Sequence, residues 1–564
     1  MTTPRGDSTA AALVDYSAAW EDTPYQETFY RPGKVPVFAP TMPALLRAYQ
    51  LSHGDKPLFV SDREEVVGNE VLQQSALLAR RLLHQGVGKG TRVGLLLPNG
   101  ARFIIAWLAV TRIGAVAVPI STLSTAPELG HILRHADVQL LLAVPRYLSR
   151  DYVADLAQVL ELPVAQPGPL QVASLPYLRD VWFWDQHTPS WGQAVAVATG
   201  AKVGESLLAA AEEQVAAADP ATIIYTSGST SAPKGVIHSQ GALVRQGVRL
   251  AASFPYGEGD RVYITAPMFW VGGLTTGLLN TMLCGATILY HSSGDIGTQL
   301  DFIERQRANF VFVWPHVARA MAADPSFGQR DFSALRGGSI NEALPPAKRS
   351  NQPYFGNALG MTETCGPHSV PLPNAPPGYE GTMGPVMPGM AWRIVDVETR
   401  EPVADGQQGE LLVRGDTLML GMVKKERSEV FDADGWYPTA DLCSVRDGLL
   451  FFHGRIDDLI KTSGANVSPA EVEAELCALP QISQAFVVGI PDVKRTSLVA
   501  AVVVPEPGMD PDIPAIQQSL AARLSSYKRP RLILAMAADD LPKLSSAKVD
   551  KRALRALLIR QQNP

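Results

Sequence analysis

Cysteine is scarce in this chain. It has four, at positions 284, 365, 443 and 477, and none forms a Cys-x-x-Cys pair. That excludes a disulfide framework or a thiolate metal site and suits a reducing cytoplasm. An excess of one charge is also missing. Lys and Arg total 49 against 55 Asp and Glu, a formal charge of −6. Such a chain lacks the basic excess of a nucleic-acid binder. No hydrophobic run is long enough to span a membrane. The most apolar stretch, residues 103–120, carries Arg112 and reaches Pro119, so it reads as a buried helix followed by a strand. Residues 1–20 are polar and alanine-rich, with Asp7 and Asp15, so no secretory leader is expected. There is no internal repeat. What remains is an ordinary globular composition, 46% hydrophobic and 18% charged over 564 residues. At ~150 residues per domain, that length allows about four domains.

Apolar helical patterns alternate with short β-rich runs through the first half. Residues 71–85 read as an amphipathic helix, 92–97 as a buried strand, 101–112 as a helix, and 115–120 and 139–144 as strands. A second such region has strand candidates at 262–266, 286–290 and 310–313. This rhythm predicts parallel sheets covered by helices. Residues 366–389 are rich in Pro and Gly and read as loop. Short strands at 391–397, 409–414 and 449–454 then suggest a small barrel-like unit. Ser468-Pro469-Ala470-Glu471 has the capping-box pattern and opens a helix running to 479. Strands at 485–490 and 498–505 and a helix at 514–524 complete a compact α+β module.

The sharpest chemical signal is Tyr225-Thr-Ser-Gly-Ser-Thr-Ser-Ala-Pro-Lys-Gly235, directly after the apolar strand 221–224. Glycine lets backbone N–H groups approach a phosphate, hydroxyls donate hydrogen bonds, and Lys234 adds a point charge. A Walker A loop needs Gly-Lys-Ser/Thr, whereas here Pro233 precedes the lysine and Gly235 follows it.

This loop resembles the TSGTTGxPKG phosphate motif of the adenylate-forming enzymes. That family includes acyl- and aryl-CoA synthetases, luciferases and peptide-synthetase adenylation domains. Ser231 stands at a usual glycine. The resemblance implies that Thr226, Ser227, Gly228, Ser229, Thr230 and Lys234 bind ATP. Gly360-Met361-Thr362-Glu363 resembles the family's GMTE segment, which implies that Thr362 contacts a phosphate and Glu363 holds Mg²⁺. Leu359 stands where an aromatic usually stacks on adenine. Residues 435–441 resemble GWxxTGD, with Ala440 for glycine, and imply that Asp441 accepts the ribose hydroxyls. Residues 454–464 resemble GRxDDxIKxxG. They imply that Arg455 contacts the ribose, that Asp457 is a hinge, and that Lys461 and Gly464 serve the second half-reaction. Residues 541–548 resemble LPxxxxGK, with Ala547 for glycine, and imply that Lys548 reaches the substrate carboxylate and α-phosphate. Residues 266–273 resemble PxFHxxG, with Trp270 at the histidine. Gly337-Gly338-Ser339 resembles the GGA segment bordering adenine, and Asn357 falls at a polar pocket position. Alone, Thr362-Glu363 would read as a helix cap, Asp441 as a turn residue, Arg455 with Asp457 as a surface ion-pair cluster, and Lys548 as a solvated lysine. Their shared order, from about residue 52 to 548, decides otherwise.

The resemblance implies an α/β fold in two domains. Residues 1–454 would form a large body of parallel-sheet αβα layers with the barrel-like unit, and 455–564 a small mobile α+β lid. It implies an acid:CoA ligase using ATP, Mg²⁺ and CoA, with the lid rotating between adenylation and thioester formation. One alternative loads a carrier protein in trans. Another is a binding homologue without catalysis, motivated by Ser231, Ala440, Ala547 and Leu359. Gly272 and Gly273 beside Trp270 suggest room for a fatty or bulky cyclic, steroid-like acid. A cytoplasmic location is expected, and a homodimer is compatible with this reading. Residues 523–564 hold ten Lys/Arg against three Asp/Glu, a basic tail suited to an anionic nucleotide.

Overall fold

The structure is a computed structural model. It describes residues 38–562 apart from 161–169, 186–187, 198–201, 227–232, 256, 346–348, 350–356, 373–374, 463–464, 493–495, 525 and 545–547. By its internal contacts the chain forms two compact units. The first holds the chain up to Glu380 with Gly384–Ala391 and Arg414–Phe431. The second holds Gly381–Met383, Trp392–Val413 and Asp432–Pro564.

Two mostly parallel sheets build the first unit. The eight-stranded sheet runs, edge to edge, Gly421–Met422, Lys234–Ser239, Pro220–Thr226, Val116–Pro119, Arg92–Leu96, Leu140–Ala143, Asp180–Phe183 and Gln193–Ala194. Its central strands are short Val/Leu/Ala runs buried on both faces, as strands between two helical layers must be. Only strand Lys234–Ser239, second from the edge, departs, pairing antiparallel with the strand on either side. The six-stranded sheet runs Gly337–Gly338, Phe310–Phe312, Arg261–Ile264, Thr287–Tyr290, Pro57–Ser61 and Glu65–Val67, parallel except at the last pair. The expected parallel αβα body is therefore present, with boundaries shifted by a residue or two. The apolar stretch at 103–120 divides into helix Ala101–Thr111, buried except at Arg102, and strand Val116–Pro119. Among the described residues no helix is long and apolar enough to cross a membrane.

The second unit carries a four-stranded sheet of Met390–Val395, Gly409–Gly415, Tyr437–Arg446 and Leu449–Arg455. Its C-terminal part is a three-stranded sheet, Ile482–Asp492, Thr496–Pro505 and Leu532–Ala535. Alternation along these strands loads both faces. Val487, Val499, Ala501 and Val503 pack with Val472, Leu476, Ile516 and Leu520 from helices Pro469–Cys477 and Ile513–Arg523. Val488, Ile490, Ala500 and Val502 pack with Leu554 and Leu558 of helix Lys551–Gln562. One local expectation fails here. The helix starts at Pro469 as expected, but Ser468 makes no side-chain cap. Its hydroxyl donates instead to the His453 carbonyl, and Glu471 pairs with Lys528 at 2.6 Å. Both polar groups have partners that a four-residue pattern does not contain.

Two buried histidines in the first unit make stability sensitive to acid. His238, on strand Lys234–Ser239, and His368 are both fully buried. Burial pushes each from the ordinary 6.5 down to about 4. Neither ring nitrogen of His238 makes a hydrogen bond of normal geometry, although the nearby Thr362 backbone opposes the shift. The native state keeps both rings neutral while unfolded histidine takes up a proton. Stability is therefore full above pH 6.5 and falls as pH drops from 6.5 toward about 4. Urea melts should show a loss between pH 7.5 and 5, and His238→Leu should flatten that slope. An unchanged slope in the variant would rule out His238 as a source.

Candidate functional site

The first unit contains an apolar cavity of about 270 Å³. Ile264 and Ala266 reach it at and beyond the C-terminal end of strand Arg261–Ile264, and Phe312 reaches it at the end of Phe310–Phe312. The crevice at the carboxyl ends of parallel strands is where α/β sheets generally take ligands. Phe254 meets Phe312 edge to face at 6.1 Å, and Ala358 and Pro371 complete this side of the wall. Another part of the wall is Gly272–Leu279, wound as a π-helix, an uncommon form frequent at functional sites. Gly272, Thr276 and Gly277 line the cavity from it, and among the described lining residues only Thr276 carries a polar side chain.

The two predicted glycines do different work. A Cβ at Gly272 would meet nothing within 4 Å, whereas one at Gly273 would lie 2.0 Å from the Pro267 carbonyl oxygen. Gly272 leaves space, and Gly273 allows close backbone packing. Trp270 is half-buried and packs edge to face on Phe269 at 5.4 Å. Trp270, Gly273 and Asn357 are not among the cavity-lining residues, although Ala358, next to Asn357, is. Phe254, Ile264, Thr276, Phe312 and Pro371 escaped sequence reasoning because nothing in the chain order links them.

Ala358 leads directly into the short strand Gly360–Met361, which pairs with Gly366–Pro367. Leu359 is fixed at both backbone ends: its N–H donates to the Ser369 hydroxyl at 2.7 Å, and its carbonyl accepts from His368 at 3.0 Å. Thr362 and Glu363 follow in a single 3₁₀ turn and are half-buried. Gly338 lies at φ +107°, where a Cβ would sit 2.2 Å from the Val311 carbonyl oxygen, so only glycine fits. Its neighbour Ser339 uses its hydroxyl to donate to the Val313 carbonyl at 2.9 Å.

The segment at 225–235 is a hairpin connection. Tyr225 pairs with Gly235 and Thr226 with Lys234. Lys234 is exposed at the foot of the loop. Two backbone bonds tie this hairpin to the Thr362-Glu363 turn: Leu420 N–H donates to Ile237 and Met419 N–H to Glu363, both at 2.8 Å. Ser227, Gly228, Ser229 and Thr230 lie outside the described residues, as do Ser231 and Ala547.

In the second unit Asp441 is 4% exposed and forms a 2.8 Å ion pair with Arg455. Strand pairing brings them together, since Asp441 sits opposite Arg455 in the sheet. Lys548 is exposed, and its carbonyl accepts from the Leu544 N–H at 2.8 Å. Gly464 lies outside the described residues, as do the side chains of Asp457 and Lys461. Cys365 and Cys443 are buried, and burial pushes both thiols well above the ordinary range, so neither is a nucleophile.

Residues 46–423 match the family model described as AMP-binding enzyme, and residues 471–548 match that of the AMP-binding enzyme C-terminal domain. The chain is 30% identical over 500 residues to a feruloyl-CoA synthase from an Amycolatopsis species, covering 86% of this chain and 92% of that protein. It is 29% identical to an indoleacetate–CoA ligase from Aromatoleum aromaticum, covering 86% and 91%. Its fold matches an anthranilate CoA ligase with bound anthranoyl-AMP at a TM-score of 0.76 and 22% identity, covering 94% of this chain and 99% of that one. It also matches ATP-bound MatB from Rhodopseudomonas palustris at 0.77 and 22% identity, covering 92% and 99%.

Ala440 adopts φ +57°, the left-handed region, with its N–H donating to Glu410 at 3.0 Å. Alanine there carries strain of about 1–2 kcal/mol that glycine does not. Glycine's looser unfolded chain offsets about 0.4–1 kcal/mol of that. Ala440→Gly should therefore stabilise the protein by up to about 1 kcal/mol, read as a rise in the urea midpoint. A fall in the midpoint would contradict this account.

Proposed function

The chain belongs to the AMP-binding enzyme family, and from that premise we propose an ATP-dependent acid:CoA ligase acting on a carboxylic acid with an apolar acyl group. Its named relatives include CoA ligases of aryl and alkyl acids. A carboxylate resists nucleophiles because its carbonyl is electron-rich, and adenylation overcomes this. A carboxylate oxygen attacks the α-phosphorus of ATP, and the bond to the bridging oxygen breaks to release pyrophosphate. The CoA thiolate then attacks the acyl carbonyl, and AMP departs with the former carboxylate oxygen.

Charge grows on the phosphoryl oxygens in the first step, so electrostatic stabilisation dominates. In this reading Lys234, Thr226 and the loop hydroxyls bind the phosphates, and Thr362 supports them. Glu363, a half-buried carboxylate whose backbone is held by Met419, fits Mg²⁺, and the ion would neutralise phosphate charge when bound. Asp441 and Arg455 receive the ribose, and Gly338, Ser339 and Leu359 border the adenine. Lys548 meets the carboxylate and α-phosphate. Asp457 is the hinge that exchanges Lys548 for the Lys461 and Gly464 face.

The observation that carries the substrate assignment is the apolar cavity whose wall leads through Ala358 into the Gly360–Glu363 segment. At about 270 Å³ it lies just below the ~300–1,000 Å³ range of drug-sized pockets. It suits a single ring system or a medium-length chain better than a fused four-ring skeleton.

Pyrophosphate release across a panel of aryl, alkyl and cyclic acids tests this reading, with and without CoA. Release that depends on the acid, followed by a thioester when CoA is added, is expected. Acyl-AMP that accumulates without a thioester would favour a carrier protein as acceptor. Lys548→Ala should lower adenylation by about 10²–10³-fold, the usual loss for one transition-state donor. Gly272→Leu adds an apolar side chain at a lining position where an added Cβ meets nothing within 4 Å. It should cost the preferred acid about 10–200-fold in kcat/KM while sparing acetate. Equal loss on both acids would remove Gly272 from the acyl wall.

A further inference from the structure

The chemistry assigned above leaves one cluster in the first unit without a task. Helix Ala126–His135 is fixed at its start by a capping box between Thr125 and Glu128. It presents two half-buried histidines one turn apart, His131 and His135. Their rings stack at 5.2 Å between centroids and 18° between planes. His131 Nε2 lies 3.2 Å from the Pro233 carbonyl oxygen. His135 Nδ1 lies 2.8 Å from the Tyr225 hydroxyl, and the two rings meet edge to face at 5.8 Å.

Those two partners are not arbitrary. Tyr225 stands one residue before Thr226, where the chain leaves strand Pro220–Thr226, and Pro233 immediately precedes Lys234, where it re-enters the sheet. Tyr225 is buried and lies across Gly235, where an added Cβ would come within 3.0 Å of its ring. One stacked pair thus touches both feet of the loop that carries the phosphate motif. The helix itself is anchored beyond the pair: Lys424 Nζ donates to the Arg134 carbonyl at 3.2 Å and pairs with Asp137 at 3.0 Å, and Asp137 also pairs with Arg92 at 2.8 Å.

We propose that His131 and His135 are positioning residues for the nucleotide, bracing the two feet of the phosphate loop so that Thr226 and Lys234 are held ready before ATP binds. This rests on the reading that the loop binds ATP. Pro233 offers only a carbonyl, so His131 must donate from Nε2. Burial pushes His135 below the ordinary histidine range, and His131, Lys424 and Arg92 push the same way against Asp137. At neutral pH His135 is therefore uncharged, and the two rings stack without charge repulsion. Preorganising a loop lowers the ordering entropy otherwise lost on binding, so the brace should act on nucleotide affinity rather than on acid affinity.

The test is calorimetric titration of the full-length protein with MgATP, alongside KM for the acid. His131→Leu keeps bulk but removes the donor, and should weaken ATP binding about ten-fold while KM for the acid stays within two-fold. His131→Gln restores an N–H that can reach a carbonyl, and should recover most of that loss. His135→Phe keeps the ring contact but not the hydrogen bond, and should fall between. Wild-type melting behaviour in the variants, together with this split, supports the brace. Three results would overturn it: unchanged ATP affinity in His131→Leu, equal loss for ATP and acid, or His131→Gln no better than His131→Leu. Wild-type protein that does not bind ATP would instead remove the functional reading, and the brace with it.

Discussion

The antiparallel pairing of Pro220–Thr226 with Lys234–Ser239 is the constraint on which the phosphate-motif end of the first unit depends. In a sheet that is otherwise parallel at its centre, a strand can be followed by its neighbour only through a long crossover. Turning back at Thr226 lets a single short connection carry hydroxyls and a glycine between two fixed points, with Lys234 at its far end. The returning strand then becomes a platform. Its outer edge takes up Gly421–Met422, and the residues just before that strand hold the Thr362-Glu363 turn by a main-chain bond. One hairpin thus fixes the relative positions of three segments far apart in sequence. Main-chain hydrogen bonds do this without depending on particular side chains, which leaves the side chains free for chemistry.

The sequence was most legible where burial imposes a simple pattern. The strands near 92–96, 140–143 and 310–312 are short apolar runs that only a buried parallel sheet explains, and they are present. The strand Lys234–Ser239 was harder. It begins with a lysine and a glycine and includes His238, so its residues read as the tail of a motif rather than a strand paired on both sides. Motif order identified Asp441 and Arg455 separately, but only the register of a hairpin shows that they face each other and form an ion pair. The cavity was least legible. Phe254 and Phe312 meet because two elements converge, and no spacing rule in one dimension encodes that.

Of the three departures from the glycine pattern, Ala440 is the one among the described residues. Ala440 occupies a left-handed backbone position inside strand Tyr437–Arg446, where the register against Gly409–Gly415 shifts, so the substitution places local strain in the strand next to Asp441. The Ala440 N–H donates to Glu410, which itself pairs with Arg400, so the surrounding contacts hold the backbone in that conformation. Strain of this kind persists where neighbouring bonds over-determine the geometry.

The π-helical winding of Gly272–Leu279 has a consequence of its own. A π-turn is in effect an α-turn carrying an additional residue, and each residue of an α-helix advances the face by about 100°. The wall of the cavity is therefore defined by a register offset as well as by side-chain identity. Removing one residue from this segment and letting it tighten to an α-helix would swing the residues before it around the axis, so that Gly272 would no longer face the cavity. The lining of this cavity can thus change through chain length at one helix, by insertion or deletion, without any replacement among the lining residues.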